Sequence, residues 1–195
     1  MNTLILENDD THGEIVTDVY QKLSNDRILF ISDYVDDNLA SYIVANIIAK
    51  DSENSEQKIS FFINCEGGDI RSIFMIHDMM KMAKSPIETV CLGSAMNEAV
   101  ILLAAGTPGL RYATKHSVIC PSQLNHDRGR YSDLTEAKNT LDQAKDDNKK
   151  KMSILAKCTG KTLKQVMSDF ERKKFMTPKQ AVAYGIIDGV ISYTK

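Results

Sequence analysis

Apolar and polar positions alternate along the first two thirds of the chain in short blocks. Arg27-Ile28-Leu29-Phe30-Ile31 is a compact apolar run and predicts a buried strand. Asp36-Asp37 then offers an N-cap to a helix carrying Leu39, Tyr42, Ile43, Ala45, Ile47 and Ile48. Ile59 to Asn64 predicts a second buried strand. It runs into Cys65-Glu66-Gly67-Gly68, a tight turn opening a helix from about Asp69 to Ala83. Pro86 breaks the chain, and Glu88 to Leu92 predicts a third strand. A helix through Leu102-Leu103-Ala104-Ala105 stops at Gly106, and short strands are expected around Arg111-Tyr112-Ala113 and Val118-Ile119-Cys120. Strand and helix thus alternate with short turns between them, which argues for parallel βαβ units and an α/β fold.

Both ends of the chain read differently. The first dozen residues are polar apart from Leu4-Ile5-Leu6, and residues 1–14 are expected to be a mobile N-terminal segment. Ile15 to Leu23 reads as a short helix. Asp133 to Lys157 is long, helical and strongly charged, with only Leu134, Ala137, Leu141, Ala144, Met152 and Leu155 on a narrow apolar stripe. Such a helix is too polar for a monomer core. It reads either as a solvated surface helix or as an arm that packs on another subunit. Thr159-Gly160 ends it, and Thr162 to Phe170 forms a further helix. Thr177-Pro178-Lys179-Gln180 is a capping box with proline at the first helical position, and Gly189 to Ser192 is the last strand.

The chain has 195 residues, 43% hydrophobic and 26% charged, which suits one domain spanning 1–195 with a real core. A net charge of −2 gives no reason to expect nucleic acid or a membrane surface as partner. No apolar run reaches membrane-spanning length and the N-terminus has no secretory pattern, so a cytoplasmic or stroma-type compartment is expected. Cys65, Cys91, Cys120 and Cys158 are widely spaced and read as reduced thiols. No cluster of Cys and His suggests a metal, and no cofactor is expected.

Several stretches, in this order and spacing, closely resemble the ClpP peptidase family. They are Ile63-Asn64 with Gly67-Gly68, Thr89-Val90-Cys91-Leu92-Gly93, Leu102-Leu103-Ala104-Ala105-Gly106 and Arg111-Tyr112-Ala113. The Thr159-Gly160 turn and Phe175-Met176-Thr177 with Ala181 and Tyr184-Gly185-Ile186-Ile187-Asp188 complete the set. The match runs from about Gly13 to Val190, with one short deletion near Asn125–Arg130. The resemblance implies a ClpP/crotonase-like βαβ spiral head with a projecting helical handle, here the loop and helix of about 123–158. It also implies that residues 1–14 form an axial gate segment.

Family members are serine peptidases with a Ser-His-Asp triad. By the resemblance, the nucleophile position falls on Asn97, the base position on Ser122, and the aspartate on Asp169, which is retained. An amide nitrogen is delocalised into its carbonyl and cannot attack, and a serine has no group titrating near neutral pH to act as base. The backbone N–H groups of the oxyanion site would come from Gly68 and Glu98. The carboxylate of Glu98 would oppose a developing negative charge there. Glu98 and Asp69 read as helix-start carboxylates or as drift at an unused site. Ser94 should point elsewhere. A Cys65–His126 pair would be a new active site, and His126 reads more simply as a loop histidine. His77 and His116 show no partner in the sequence.

The resemblance further implies hydrophobic docking of a hexameric AAA+ unfoldase on Ile48, Phe62, Met82 and Tyr112, each of which ordinary core packing would also explain. The handle implies heptameric rings joined in pairs as a tetradecamer, with the partner a second copy or an active ClpP paralogue. Ser168 stands where the family often has an arginine used between rings. The leading reading is a ring-forming, non-catalytic ClpP-like subunit, similar in logic to the ClpR subunits of mixed cores. Its rivals are an active serine endopeptidase with an unorthodox site, a crotonase-type enzyme acting on acyl thioesters, and a chamber with no proteolytic role.

Overall fold

Parallel pairing organises the head of the molecule. The computed structural model describes residues 4–9, 13–124 and 133–192. Strands β3 (Ile28–Ile31), β4 (Ile59–Cys65), β5 (Ile87–Met96), β6 (Arg111–Thr114) and β8 (Gly189–Ile191) lie side by side in that order, and every pair is parallel. Successive strands are joined through α2 (Asp37–Glu53), α3 (Ile70–Met82) and α4 (Ala99–Ala104), the βαβ arrangement expected from the alternation. The chain is an α/β protein with a long helical arm.

Register explains which side chains face the core. Leu29, Phe61, Thr89 and Arg111 are aligned across the sheet, and Ile31, Ile63, Cys91 and Ala113 form a parallel row. All eight are buried. The intervening row, Phe30, Phe62, Val90, Tyr112 and Gly189, points to the opposite face because the side-chain period of a strand is two. On that face Phe30 stacks on Phe62 with centroids 5.4 Å apart, and Tyr20 meets Phe30 edge-on at 5.7 Å. Phe30, Phe62 and Tyr112 are only half-buried. The apolar runs that suggested strands buried on both faces therefore belong to a sheet covered fully on one face and partly on the other.

β5 is longer than its apolar run. The sequence suggested an end at Leu92, but the strand continues to Met96. Gly93 adopts a φ of +100°, and a Cβ there would lie 2.5 Å from Oδ1 of Asn64, so only glycine fits. Beyond it, Ser94, Ala95 and Met96 pair with β7 (Val118–Cys120). The second half of β5 thus carries the chain past the sheet edge toward the turn at Asn97.

The N-terminus needs two corrections. Leu4–Asp9 and Gly13–Asp18 form an antiparallel pair, β1 and β2, where the sequence suggested no strand and a helix from Ile15. The helix begins four residues later, as α1 (Val19–Asn25). Asp18 caps it by accepting from the Tyr20 N–H at 2.7 Å, and a capping residue sits outside helical geometry.

The arm, α5 (Leu134–Thr159), starts at the cap Asp133 and ends at Gly160 in the left-handed conformation. Its two halves differ. Leu134 is 89% exposed and Leu141 is also exposed, whereas Lys151, Met152, Leu155 and Ala156 are buried. The second half therefore contributes to the core, contrary to the expectation for so polar a helix. After it come α6 (Leu163–Asp169), capped by Thr162, and α7 (Pro178–Tyr184), which carries the predicted capping box. Arg111 and Asp188 tie this end to the sheet through a bidentate pair at 2.9 and 2.6 Å. No described helix is long and apolar enough to cross a membrane.

Candidate functional site

Asn97 sits at the tip of a sharp turn between β5 and α4. Its φ is +50°, a left-handed conformation that asparagine tolerates better than most residues. Its own N–H donates to the Cys120 carbonyl at 2.8 Å, fixing the turn against the end of β7. Its side chain is engaged at both ends. Nδ2 donates to the Glu66 carbonyl at 2.7 Å, and Oδ1 lies 2.9 Å from the Ser122 hydroxyl. That hydroxyl has a second acceptor, the Gln123 carbonyl, also at 2.9 Å. The two positions expected to carry nucleophile and base are thus in contact, joined by a hydrogen bond between an amide and an alcohol. Neither group takes or gives up a proton near neutral pH.

Asp169 lies at the end of α6, where its Oδ2 accepts from the Tyr184 hydroxyl at 2.8 Å. Burial and the adjacent carboxylate push the Tyr184 phenol well above its usual range, so it remains a donor. Asp169 accepts no hydrogen bond from Ser122 or Asn97. The structure therefore brings together two of the three expected triad positions and gives the third a different partner.

The Gly67-Gly68 turn flanks Asn97. Val35 donates to the Gly67 carbonyl at 3.0 Å, and Asp69 donates to Val35 at 2.8 Å. A Cβ on Gly68 would lie 2.5 Å from both Cβ and the carbonyl oxygen of Val35, so the close approach requires glycine. Among the described residues nothing accepts from the N–H groups of Gly68 or Glu98. Two backbone donors are therefore left unspent beside Asn97. Asp69 caps α3 by accepting from Arg71 and Ser72, as its reading as a helix-start carboxylate required.

Glu98 does not follow that reading. It makes no capping bond to α4. Its Oε1 instead accepts from Nζ of Lys151 on the arm at 2.8 Å, inside the protein, with Lys151 0% and Glu98 7% exposed. Burial pulls the Lys151 ammonium below its usual range, and Glu98 opposes that shift. The other oxygen, Oε2, faces the glycine turn, 2.7 Å from where a Cβ on Gly67 would stand. The sequence missed Lys151. Its one signal was a lysine on the apolar stripe, three residues before Ile154 and four before Leu155.

Other nucleophile candidates are accounted for. Ser94 is turned to Asn64, its N–H at 3.0 Å and its hydroxyl at 3.2 Å from Oδ1. The Cys65 thiol is buried and donates to the carbonyls of Asp33 (3.0 Å) and Gly67 (3.1 Å). Burial, reinforced by Glu98 and Asp33, pushes it up, away from the thiolate that nucleophilic attack needs. His126 and the loop near Asn125–Arg130 lie outside the described residues. His77 is not without a partner: its Nδ1 is 2.8 Å from Asp78. No described group of His, Cys, Asp and Glu is arranged to hold a metal ion.

The comparisons with known proteins agree with this architecture. Residues 11–194 match the family model of the Clp protease. The chain belongs to the Clp protease family. It is 38% identical over 185 residues to an ATP-dependent Clp protease proteolytic subunit of Deinococcus radiodurans, a match covering 94% of this chain and 89% of that protein. Family membership is consistent with the parallel sheet and the long helical arm.

Of the four positions matched to a docking surface, Ile48 is 53% and Met82 76% exposed, while Phe62 and Tyr112 lie in the half-buried sheet row described above. Core packing does not account for Ile48 or Met82.

Proposed function

We propose that this Clp protease family member is a non-catalytic, ring-forming subunit of an ATP-dependent protease core, comparable in role to ClpR subunits. The observation that carries the proposal is the Asn97–Ser122 contact: the two groups that would have to move a proton are an amide and an alcohol bonded to each other. Peptide hydrolysis needs a nucleophile and a base in that relationship, and losing both removes nearly all of the triad's contribution. Asp169, turned to Tyr184, supplies neither.

The chain would contribute wall, gate and docking surface to a heptameric ring in a cytoplasm-type compartment. The exposed Ile48 and Met82, with the half-covered Phe62 and Tyr112, suit an apolar contact with an AAA+ unfoldase. The exposed Leu134 and Leu141 at the outer end of α5 suit contact between rings. The β1–β2 segment would form the gate. Cleavage would come from an active paralogue sharing the ring or the facing one.

The test is incubation of the purified protein with fluorogenic peptides and an active-site fluorophosphonate, beside native mass spectrometry of the protein alone and mixed with an active family member. No turnover, no labelling and a seven-fold ring are expected. Labelling or turnover abolished by a single substitution in this chain would overturn the non-catalytic reading, and a monomer under both conditions would overturn the subunit reading.

A further inference from the structure

Restoring serine and histidine at positions 97 and 122 is the obvious way to recover a peptidase from this fold. The geometry around Gly67 argues that it fails. An acyl-transfer site needs a volume about 3 Å from both the nucleophile and the oxyanion donors, where the carbonyl oxygen becomes negative. Here the unspent donors are the N–H groups of Gly68 and Glu98, on either side of Asn97. The side chain of Glu98 folds back against the glycine turn beside that cradle. The nearest atoms to the empty Cβ direction of Gly67 are Oε2 of Glu98 at 2.7 Å, then Cβ and Nδ2 of Asn97 at 3.3 and 3.7 Å. The carboxylate therefore lies against the glycine turn and the nucleophile position together.

Lys151 holds it there. Its ammonium is fully buried and hydrogen-bonds Oε1, so Glu98 can swing away only by leaving a buried lysine uncompensated. The pair is neutral as a whole but oriented. No atom of Lys151 is among the three nearest to the Gly67 Cβ direction, so the negative end is the one presented to the glycine turn. Oε2 accepts no hydrogen bond from the described residues, the two N–H groups included, so a carboxylate oxygen stands beside the turn, where it opposes a developing negative charge.

We infer that the Glu98–Lys151 pair is a second lock on the site, independent of the missing serine and histidine, that keeps the oxyanion cradle from stabilising an acyl-transfer transition state. The inference rests on the non-catalytic reading and extends it from the reacting groups to their surroundings. It also gives the arm a task at the site, since Lys151 belongs to α5 and Glu98 to the start of α4.

Three proteins test it: the wild type, Asn97→Ser/Ser122→His, and that variant with Glu98→Met/Lys151→Leu added, which replaces the ion pair by apolar groups of similar volume. The readout is the rate of fluorophosphonate labelling and of fluorogenic-peptide turnover in the oligomer each protein forms. Removing a single oxyanion donor costs on the order of 10²–10³ in rate, so lifting an opposing carboxylate is expected to raise labelling by about 100-fold over the two-residue variant. Equal labelling with and without the pair would overturn the inference. So would an unlabelled four-residue variant whose circular dichroism and oligomeric state match the wild type. Should that variant not fold, Glu98→Gln/Lys151→Met in the same background carries the comparison under the same two criteria. Labelling of the wild type would instead strike at the non-catalytic reading, so the two failures are distinguishable.

Discussion

The Ser122 hydroxyl stands 2.9 Å from Oδ1 of Asn97, and this bond joins the two positions that the family resemblance implies for base and nucleophile. With Nδ2 of Asn97 committed to the Glu66 carbonyl, the amide uses both of its ends. The turn that would present a nucleophile is therefore held shut by uncharged hydrogen bonds.

Asn97 holds that turn in a left-handed conformation, and this gives a clean comparison. Asn97→Ala and Asn97→Gly both remove the side-chain bonds, but only alanine meets the steric penalty at φ +50°. The alanine variant is expected to be less stable than the glycine variant by about 1 kcal/mol, measured by urea denaturation. Equal stabilities would mean that the backbone relaxes out of the left-handed region.

Lys151→Met strands the Glu98 carboxylate inside the protein. Breaking one side of a buried pair costs about 3–5 kcal/mol, whereas replacing both partners by apolar groups is near neutral or stabilising. The single variant is thus expected to lose several kcal/mol in chemical unfolding, and Glu98→Met/Lys151→Leu to regain most of it. A double variant as weak as the single one would show that the charges are not coupled.

Arg111 and Asp188 supply a pH dependence. Hydrogen bonds from the Arg111 side chain, ahead of the opposing burial and of backbone N–H groups of Arg111 and Gly109, hold the Asp188 carboxyl below its usual range. A group whose folded pKa is depressed stabilises the fold above its unfolded pKa, and that contribution is lost as pH falls through the folded value. Asp188→Asn should cost about 1 kcal/mol at pH 7, a modest figure because the carboxylate is partly exposed. The gap from wild type should close as pH drops below the ordinary carboxylate range. Thermal unfolding of both proteins from pH 7 to pH 3 checks the sign, and a gap that widens in acid would contradict it.

Cys65 should behave as an inert thiol. Burial, reinforced by Glu98 and Asp33, keeps it protonated, so iodoacetamide at pH 7 is expected to leave it unmodified on a timescale that alkylates an exposed cysteine. Peptide mapping after short exposure measures this. Rapid alkylation of Cys65 would revive a thiol-based site.

Ile48 and Met82 are exposed, so Ile48→Asp and Met82→Asp are expected to leave unfolding midpoints within about 0.5 kcal/mol of wild type. If they form the docking surface, both should abolish capture by a Clp-type unfoldase in a surface-binding assay while ring assembly persists. Undiminished capture would move the docking surface elsewhere.

The sequence determined much of this protein by local rules. Apolar runs, caps and glycine turns located β3, β4, β6, β7 and α3 within a residue or two, and the starts of α2 and α7, because capping and φ preferences act over only a few positions. Once the resemblance had assigned the positions, the sequence also said that an asparagine cannot serve as nucleophile at 97 nor a serine as general base at 122, since those limits belong to the residue type. What the tertiary structure alone decided was pairing over long separations. The β1–β2 hairpin, the continuation of β5 past Gly93, the turn of Asp169 to Tyr184 and the burial of Lys151 against Glu98, fifty-three residues away, leave no local trace. A lysine on a charged helix reads as solvated from sequence. Only the packing of α5 on α4 removes the water from it, and a desolvated ammonium must then find a carboxylate.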